Sequence, residues 1–266
     1  MSGASAVGGL RDQSSLATRL GRPVPSCRRI AVTSMRVGTG RSVTAMLLAG
    51  IIQQQREDRV ILVDAAPGTS AIPARLEVTP PRSLHELATA RPRSWEEASG
   101  FLAKPQNGPW VLSQTTIGTP LSYDTFQAAV GRLSRYAAVS VIDCPAGLTS
   151  DLSRGILTSA HAQVLVANNA ADVQEALTWC RTTNHTSLLS RTVVALATRS
   201  RRATTETKEA QGLLSNAGIP YIRLPHDRHI AAGSALDPVR TATTTRDAAA
   251  ALAVTAFDLS LMEKTS

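Results

Sequence analysis

Along the chain, short runs of apolar and β-branched residues alternate with longer stretches whose apolar positions recur at helical spacing. The short runs are Arg29–Thr33, Arg59–Asp64, Val139–Asp143, Gln163–Ala167, Thr192–Ala197 and Tyr221–Leu224, with a weaker one at Trp110–Leu112. The helical stretches are Val43–Gln55, Ser83–Ala90, Tyr123–Tyr136, Asp172–Leu189, Thr204–Ala217 and Arg246–Met262. Strands buried on both faces and separated by crossovers of helix length pair in parallel. The pattern predicts an α/β fold, a doubly wound, mostly parallel sheet with helices on both faces. Ligands in such folds bind beyond the carboxyl ends of the strands. Two loops leave strands at that end, Met35–Ser42 and Asp143–Leu148.

Composition narrows this picture. A chain of 266 residues with 43% hydrophobic content suits one sizeable core. We therefore expect a single domain over residues 28–266, preceded by a flexible basic tail over residues 1–27 that ends in Pro23-Val24-Pro25. No apolar run reaches membrane-spanning length, and the first residues lack the charged start and apolar centre of a secretory signal. Cys27, Cys144 and Cys180 stand apart without metal-ligand spacing, which suits a reducing cytoplasm. The final helical stretch ends slightly acidic, through Asp247, Asp258 and Glu263, and is expected to pack on the domain rather than lie on a membrane.

The net charge of +8 is unevenly spread. Residues 1–30 contribute +4 and residues 191–228 another +4, while the remainder balances. The excess gathers on the tail and around Arg199, Arg201 and Arg202. Such clusters attract phosphate backbones or acidic partners without sequence specificity. The alternative is solvated surface in a chain whose only lysines are Lys104, Lys208 and Lys264.

The stretch AVTSMRVGTGRSV, residues 31–43, carries the most chemistry. A strand enters a loop containing Gly38 and Gly40, and the loop leaves into a helix through Arg41-Ser42. Glycines let backbone N–H groups curl around phosphates, and the helix adds its N-terminal amides. Gly40-Arg41-Ser42 occupies the place of Gly-Lys-Ser, so Ser42 is the magnesium ligand to expect and Arg41 the phosphate contact. A planar guanidinium keeps the charge but is bulkier than the ammonium that threads between phosphates. Asp64 and Asp143 each end a strand, and Asp143 precedes a Pro145/Gly147 turn. An aspartate there suits holding the water shell of a magnesium ion. His226 and His229 flank Asp227 in one short loop, which reads as a turn rather than a metal site.

These segments resemble the MinD/ParA group of deviant Walker-type ATPases, over residues 28 to about 240. That family's loop reads KGGxGKS or KGGxGKT, and RVGTGRS (residues 36–42) aligns with it without a gap. Arg36 falls on the signature lysine, which in the family reaches across a dimer to the other subunit's nucleotide. Arg41 falls on the loop lysine, and Val37 replaces a glycine. Asp64 matches the first aspartate of the family's DxD segment, while Ala66 replaces the second, near the attacking water. In DCPAG (residues 143–147) Asp143 matches the aspartate of the family's DxxPG motif, with Ala146 inserted before the glycine as in its DTPPG variants, and VLVANNAADVQEAL (residues 164–177) resembles the strand and helix after it. LPHDRHIAAG (residues 224–233) is similar to the terminal segment that frames the base, in a form especially like MinD-type proteins found beside actinobacterial type VII secretion genes. Thr198-Arg199 stands where the family often places Asn-Arg against adenine.

The resemblance implies ATP and Mg2+ as cofactors. It implies nucleotide contacts at Gly38, Thr39, Gly40, Arg41, Ser42, Val43, Thr198, Pro225 and Asp227. Arg36, Arg41 and Asp64 take catalytic positions, and the metal falls to Ser42 and, through water, Asp143. Positioned cations on a transferring phosphoryl are each worth several kcal/mol, so these departures imply weak or absent hydrolysis. The expected function is an ATP-binding, homodimeric regulator or positioning factor for a larger assembly, with secretion machinery as the implied partner. Two alternatives stand beside it: a partition ATPase binding non-specific DNA through the Arg199–Arg202 surface and the tail, and a nucleotide-free adaptor.

Overall fold

A computed structural model describes residues 14–66, 71–114, 119–198 and 205–262. Among these residues the core is a seven-stranded sheet of β1 (Arg28–Ser34), β2 (Val60–Asp64), β3 (Trp110–Ser113), β4 (Val139–Asp143), β5 (Ala162–Ala167), β6 (Thr192–Ala197) and β7 (Tyr221–Leu224). The strand order is β3-β2-β4-β1-β5-β6-β7 and every neighbouring pair is parallel. The sheet is thus wholly parallel where the sequence predicts a mostly parallel one. All the predicted runs are strands, the weak one at Trp110 included.

The helices are α1 (residues 14–20), α2 (Arg41–Gln54), α3 (Ala71–Arg75), α4 (Leu84–Thr89), α5 (Trp95–Ser99), α6 (Tyr123–Leu133), α7 (Asp151–Ser159), α8 (Ala170–Thr182), α9 (Thr205–Asn216), α10 (Arg228–Ala231) and α11 (Thr243–Leu261). Successive strand side chains point to opposite faces, so one strand feeds two cores. Ala31 joins the core under α4, α6, α7, α8 and α9, built on Leu84, Phe126, Ile156, Val173 and Leu214. Ile30 and Val32 join the core under α1, α2 and α11, built on Leu20, Met46, Ile52, Leu252 and Phe257. The last helix packs on the domain, as its composition predicts.

Three local findings differ from the sequence expectation. Residues 14–27 are not a flexible tail: α1 is helical, and Leu20 is fully buried against the α2/α11 core. Arg56 donates to the backbone carbonyls of Leu20 and Arg22, and Arg19 and Arg22 pair with Asp258. The Ser/Gly/Arg composition conceals this because the order comes from partners more than 30 residues away in sequence. The stretch Asp172–Leu189 is two elements, since Asn184 adopts a left-handed conformation (φ 58°) and a 3-10 helix follows at Thr186–Arg191. Helix α7 is an addition, started by Ser150, whose hydroxyl accepts from the Ser153 amide at 3.1 Å. Arg199, Arg201 and Arg202 lie outside the described residues.

Candidate functional site

The loop after β1 opens at the carboxyl end of the central strand, between its neighbours β4 and β5. Gly38 and Gly40 both have positive φ, 77° and 94°, which side-chain-bearing residues rarely adopt. Nothing lies within 4 Å of where a Cβ would stand at either position, so the inside of the loop is open. Gly40 caps α2, a helix without an acidic residue in its first turn. The amide-rich end therefore keeps its positive character toward the loop.

A cleft of about 400 Å³ runs from this loop to the far side of the sheet end. Gly38, Thr39, Gly40 and Val43 form one wall, and Thr198, Pro225 and Asp227 the other. Seven of the nine residues expected to contact nucleotide thus border one cavity. Leu47, Leu224 and Ile230 supply apolar surface of the kind that receives a base. Thr39 is 5% exposed, and its hydroxyl has no partner among the described residues. A buried hydroxyl facing a cavity fits a polar ligand.

Arg41 and Ser42, the other two, turn to Asp143. The Arg41 Nε donates to Asp143 Oδ1 at 2.7 Å, and the Ser42 hydroxyl donates to Oδ2 at 2.5 Å. Arg41 is 9% exposed and Asp143 1%. Burial pushes the Asp143 carboxyl above its usual range, and the Arg41 charge and Ser42 hydroxyl pull it down without overcoming this. One guanidinium nitrogen, Nη1, is buried without a partner among the described residues. The donor set fits a phosphate group, which would accept from Nη1, Thr39 and the loop amides. It does not fit a divalent cation as it stands. The carboxylate that would attract the metal is already paired with a cation of the chain.

Asp64 sits beside Asp143 on the neighbouring strand, its Cα the register partner of Asp143. Its oxygens accept from the Ser113 hydroxyl at 3.1 Å and the Ala66 amide at 3.3 Å. Ala66 contributes a backbone amide where the related pattern has a carboxylate. Cys144, between these strands, is fully buried, and burial raises its thiol far above the ordinary range. It is no nucleophile.

Arg36, expected to reach another subunit, is folded back onto its own helix α8. It pairs with Asp172 and, at 2.8 Å, with Glu175. Asp172 also accepts from the Asn168 amide at 3.0 Å. The Asn168 side chain donates to the carbonyls of Thr39 (3.3 Å) and Ala197 (2.8 Å), tying the glycine loop to the end of β6. Sequence reading missed Asn168, and Arg75 from α3, both of which line the cleft. The signal for Asn168 was its place directly after the apolar run of β5. Arg75 gave none, because no local pattern links it to a loop some 35 residues earlier.

Thr198, directly after β6, donates its hydroxyl to the Leu224 carbonyl at 3.2 Å. Asp227 caps α10 and accepts from the amides of His229, Ile230 and Ala242 at 2.8–3.2 Å. Its role here is to hold the wall together. Burial alone would raise its pKa; those amides outweigh it and hold the carboxyl below the usual range.

No protein-family model matches the chain. It is 25% identical over 232 residues to the ESX-1 secretion-associated protein EspI of Mycobacterium tuberculosis, covering 79% of this chain and 34% of EspI. The chain thus spans about a third of the length of that relative. Among solved structures, a ParA family ATPase from Chlorobium tepidum superposes with a TM-score of 0.72 at 14% identity, over 86% of this chain and 98% of the other. The cell division ATPase MinD of Pyrococcus furiosus gives 0.63 at 20% identity, over 85% and 96%. Cobyrinic acid a,c-diamide synthase from Mycobacterium smegmatis, with bound ATP analog and magnesium, gives 0.61 at 18% identity, over 85% and 92%. The fold of this chain is that of the ParA and MinD ATPases, with arginine at both positions where the matching loop carries lysine.

Proposed function

We propose that the chain is an ATP-binding, dimerising regulator or positioning factor for a larger assembly, with little or no ATP hydrolysis. The observation that carries this reading is the cleft itself. Open, left-handed glycines, a Thr39 hydroxyl unpartnered among the described residues and the amino end of α2 meet an apolar pocket, in the fold of known ATPases. Bound ATP would supply a charged, interface-forming surface. Gly38, Thr39, Gly40 and Val43 would hold its phosphates, while Thr198, Pro225 and the wall fixed by Asp227 would flank its base. The chain is similar to EspI, which supports secretion machinery as the assembly.

The same geometry argues against rapid turnover. Arg41 is engaged with Asp143, and position 66 has no carboxylate to orient water. Binding tolerates these losses because backbone amides do much of the work, whereas catalysis depends on contacts specific to the transition state. Calorimetric titration with ATP beside a phosphate-release assay tests both halves. We expect saturable binding with phosphate release at background. Brisk release abolished by Arg41→Ala overturns the slow-hydrolysis half, and absence of binding reduces the fold to a scaffold. Dimerisation predicts an ATP-dependent shift in size-exclusion chromatography that Arg36→Ala erases.

A further inference from the structure

Resting on the nucleotide reading above, we propose that this cleft takes its nucleotide without a divalent cation, the Arg41 guanidinium standing where a metal ion would act. Three observations converge on it. First, Arg41 and Ser42 hold both oxygens of Asp143, at 2.7 and 2.5 Å, so the acid expected to hold a metal's water shell is already engaged. Second, the guanidinium is about nine-tenths buried in the first turn of α2, a fixed positive charge in the place of a mobile one. Third, Nη1 remains buried without a partner among the described residues, and the Thr39 hydroxyl beside it in sequence is likewise unpartnered on the cleft wall.

The physical case is charge balance. A nucleoside polyphosphate needs positive charge close to its terminal oxygens, supplied in part by a metal and in part by cationic side chains. Here Asp143 orients a permanently charged, planar donor through Nε, and leaves Nη1 for the anion. A magnesium ion carried in on the phosphates finds Asp143 already paired with a cation of the chain, and meets a like charge from Arg41. The device is specific to arginine. A lysine at position 41 must share one nitrogen on a flexible stem between the acid and a phosphate, whereas the planar fork holds the acid through Nε and keeps Nη1 separate.

The test is calorimetric titration of the full chain with ATP, once in excess EDTA and once in excess magnesium. Affinities within about threefold of each other are expected. Binding at least about tenfold weaker in EDTA overturns the proposal and leaves the nucleotide reading standing. No binding in either buffer overturns both. Arg41→Lys is expected to acquire a magnesium dependence of about tenfold or more. A variant that binds equally in both buffers shows that the guanidinium is not the cause and overturns the proposal. A measurement that does not depend on the variant's folding is manganese electron paramagnetic resonance on the wild-type protein with ATP. The spectrum is expected to match that of manganese with ATP alone, and a distinct protein-bound manganese signal overturns the proposal.

Discussion

Helix α2 has a buried arginine at each end. Arg56, just beyond its carboxyl end, uses its whole guanidinium. Nε and Nη2 each donate to Asp58 at 2.7 Å, Nη1 reaches the carbonyls of Leu20 and Arg22, and the group lies 5.3 Å from the centre of the Phe257 ring. Arg41, in the first turn, makes one ion pair and leaves Nη1 buried and unpartnered among the described residues. Folded proteins satisfy nearly every buried donor, so a completed set marks an architectural arginine. At Arg41 the set is incomplete, beside the glycine loop that borders the cleft. The two ends of one helix thus divide the labour: Arg56 fastens α1 to the domain, and Arg41, on our reading, serves the glycine loop as a ligand contact.

Substitutions break or sharpen that contrast. Arg41→Ala has the largest combined effect. It leaves Asp143 buried without its cation, at a cost of about 2–3 kcal/mol in urea denaturation, and lowers ATP affinity by about thirtyfold or more. Arg56→Ala costs a similar 2–3 kcal/mol but leaves ATP affinity within about twofold, because everything it touches lies at the far end of α2. If the two variants lose affinity equally, the division of labour is wrong. Asp227→Ala removes the α10 cap for about 1–2 kcal/mol and loosens the far wall of the cleft.

The same residue makes a pH prediction. The folded pKa of Asp227 is depressed, so its contribution is present above the unfolded value near 3.9 and is lost as pH falls through the folded value. Urea midpoints followed into that acid range should fall less steeply for Asp227→Asn than for the wild type. Thr39→Val separates site from scaffold most cleanly. Its stability should change by less than about 0.5 kcal/mol, since an unpartnered hydroxyl is removed, while ATP affinity drops several-fold. Arg36→Ala should cost the monomer under about 1 kcal/mol, because the Arg36 side chain is 54% exposed and the buried Asp172 keeps the Asn168 amide as a donor.

The same contrast explains what could be read in advance. The loop Met35–Ser42 and the aspartates at positions 64 and 143 were legible because glycine spacing and strand-ending acids are local patterns. The convergence of Gly38, Thr39, Gly40 and Val43 with Thr198, Pro225 and Asp227 was legible only through the family resemblance, which set all of them around one ligand. Asn168 and Arg75 were not legible, since their place in the cleft depends on packing between distant elements. The engagement of Arg41 with Asp143 was not legible either. A guanidinium has several ways to point, and only a neighbour 102 positions along the chain selects one.

By itself the amino-acid sequence determined the layered α/β architecture, the position of every described strand and the location of the glycine loop. Hydrophobic runs and glycine punctuation act over a few residues, so they survive without knowledge of the fold. Tertiary structure alone decided that residues 14–27 join the domain, that Arg36 folds back onto α8, and that Arg41 neutralises the acid expected to serve a metal. Each of these is a charge or a backbone carbonyl finding its partner through space, and electrostatic partnership depends on distance after folding rather than on separation along the chain.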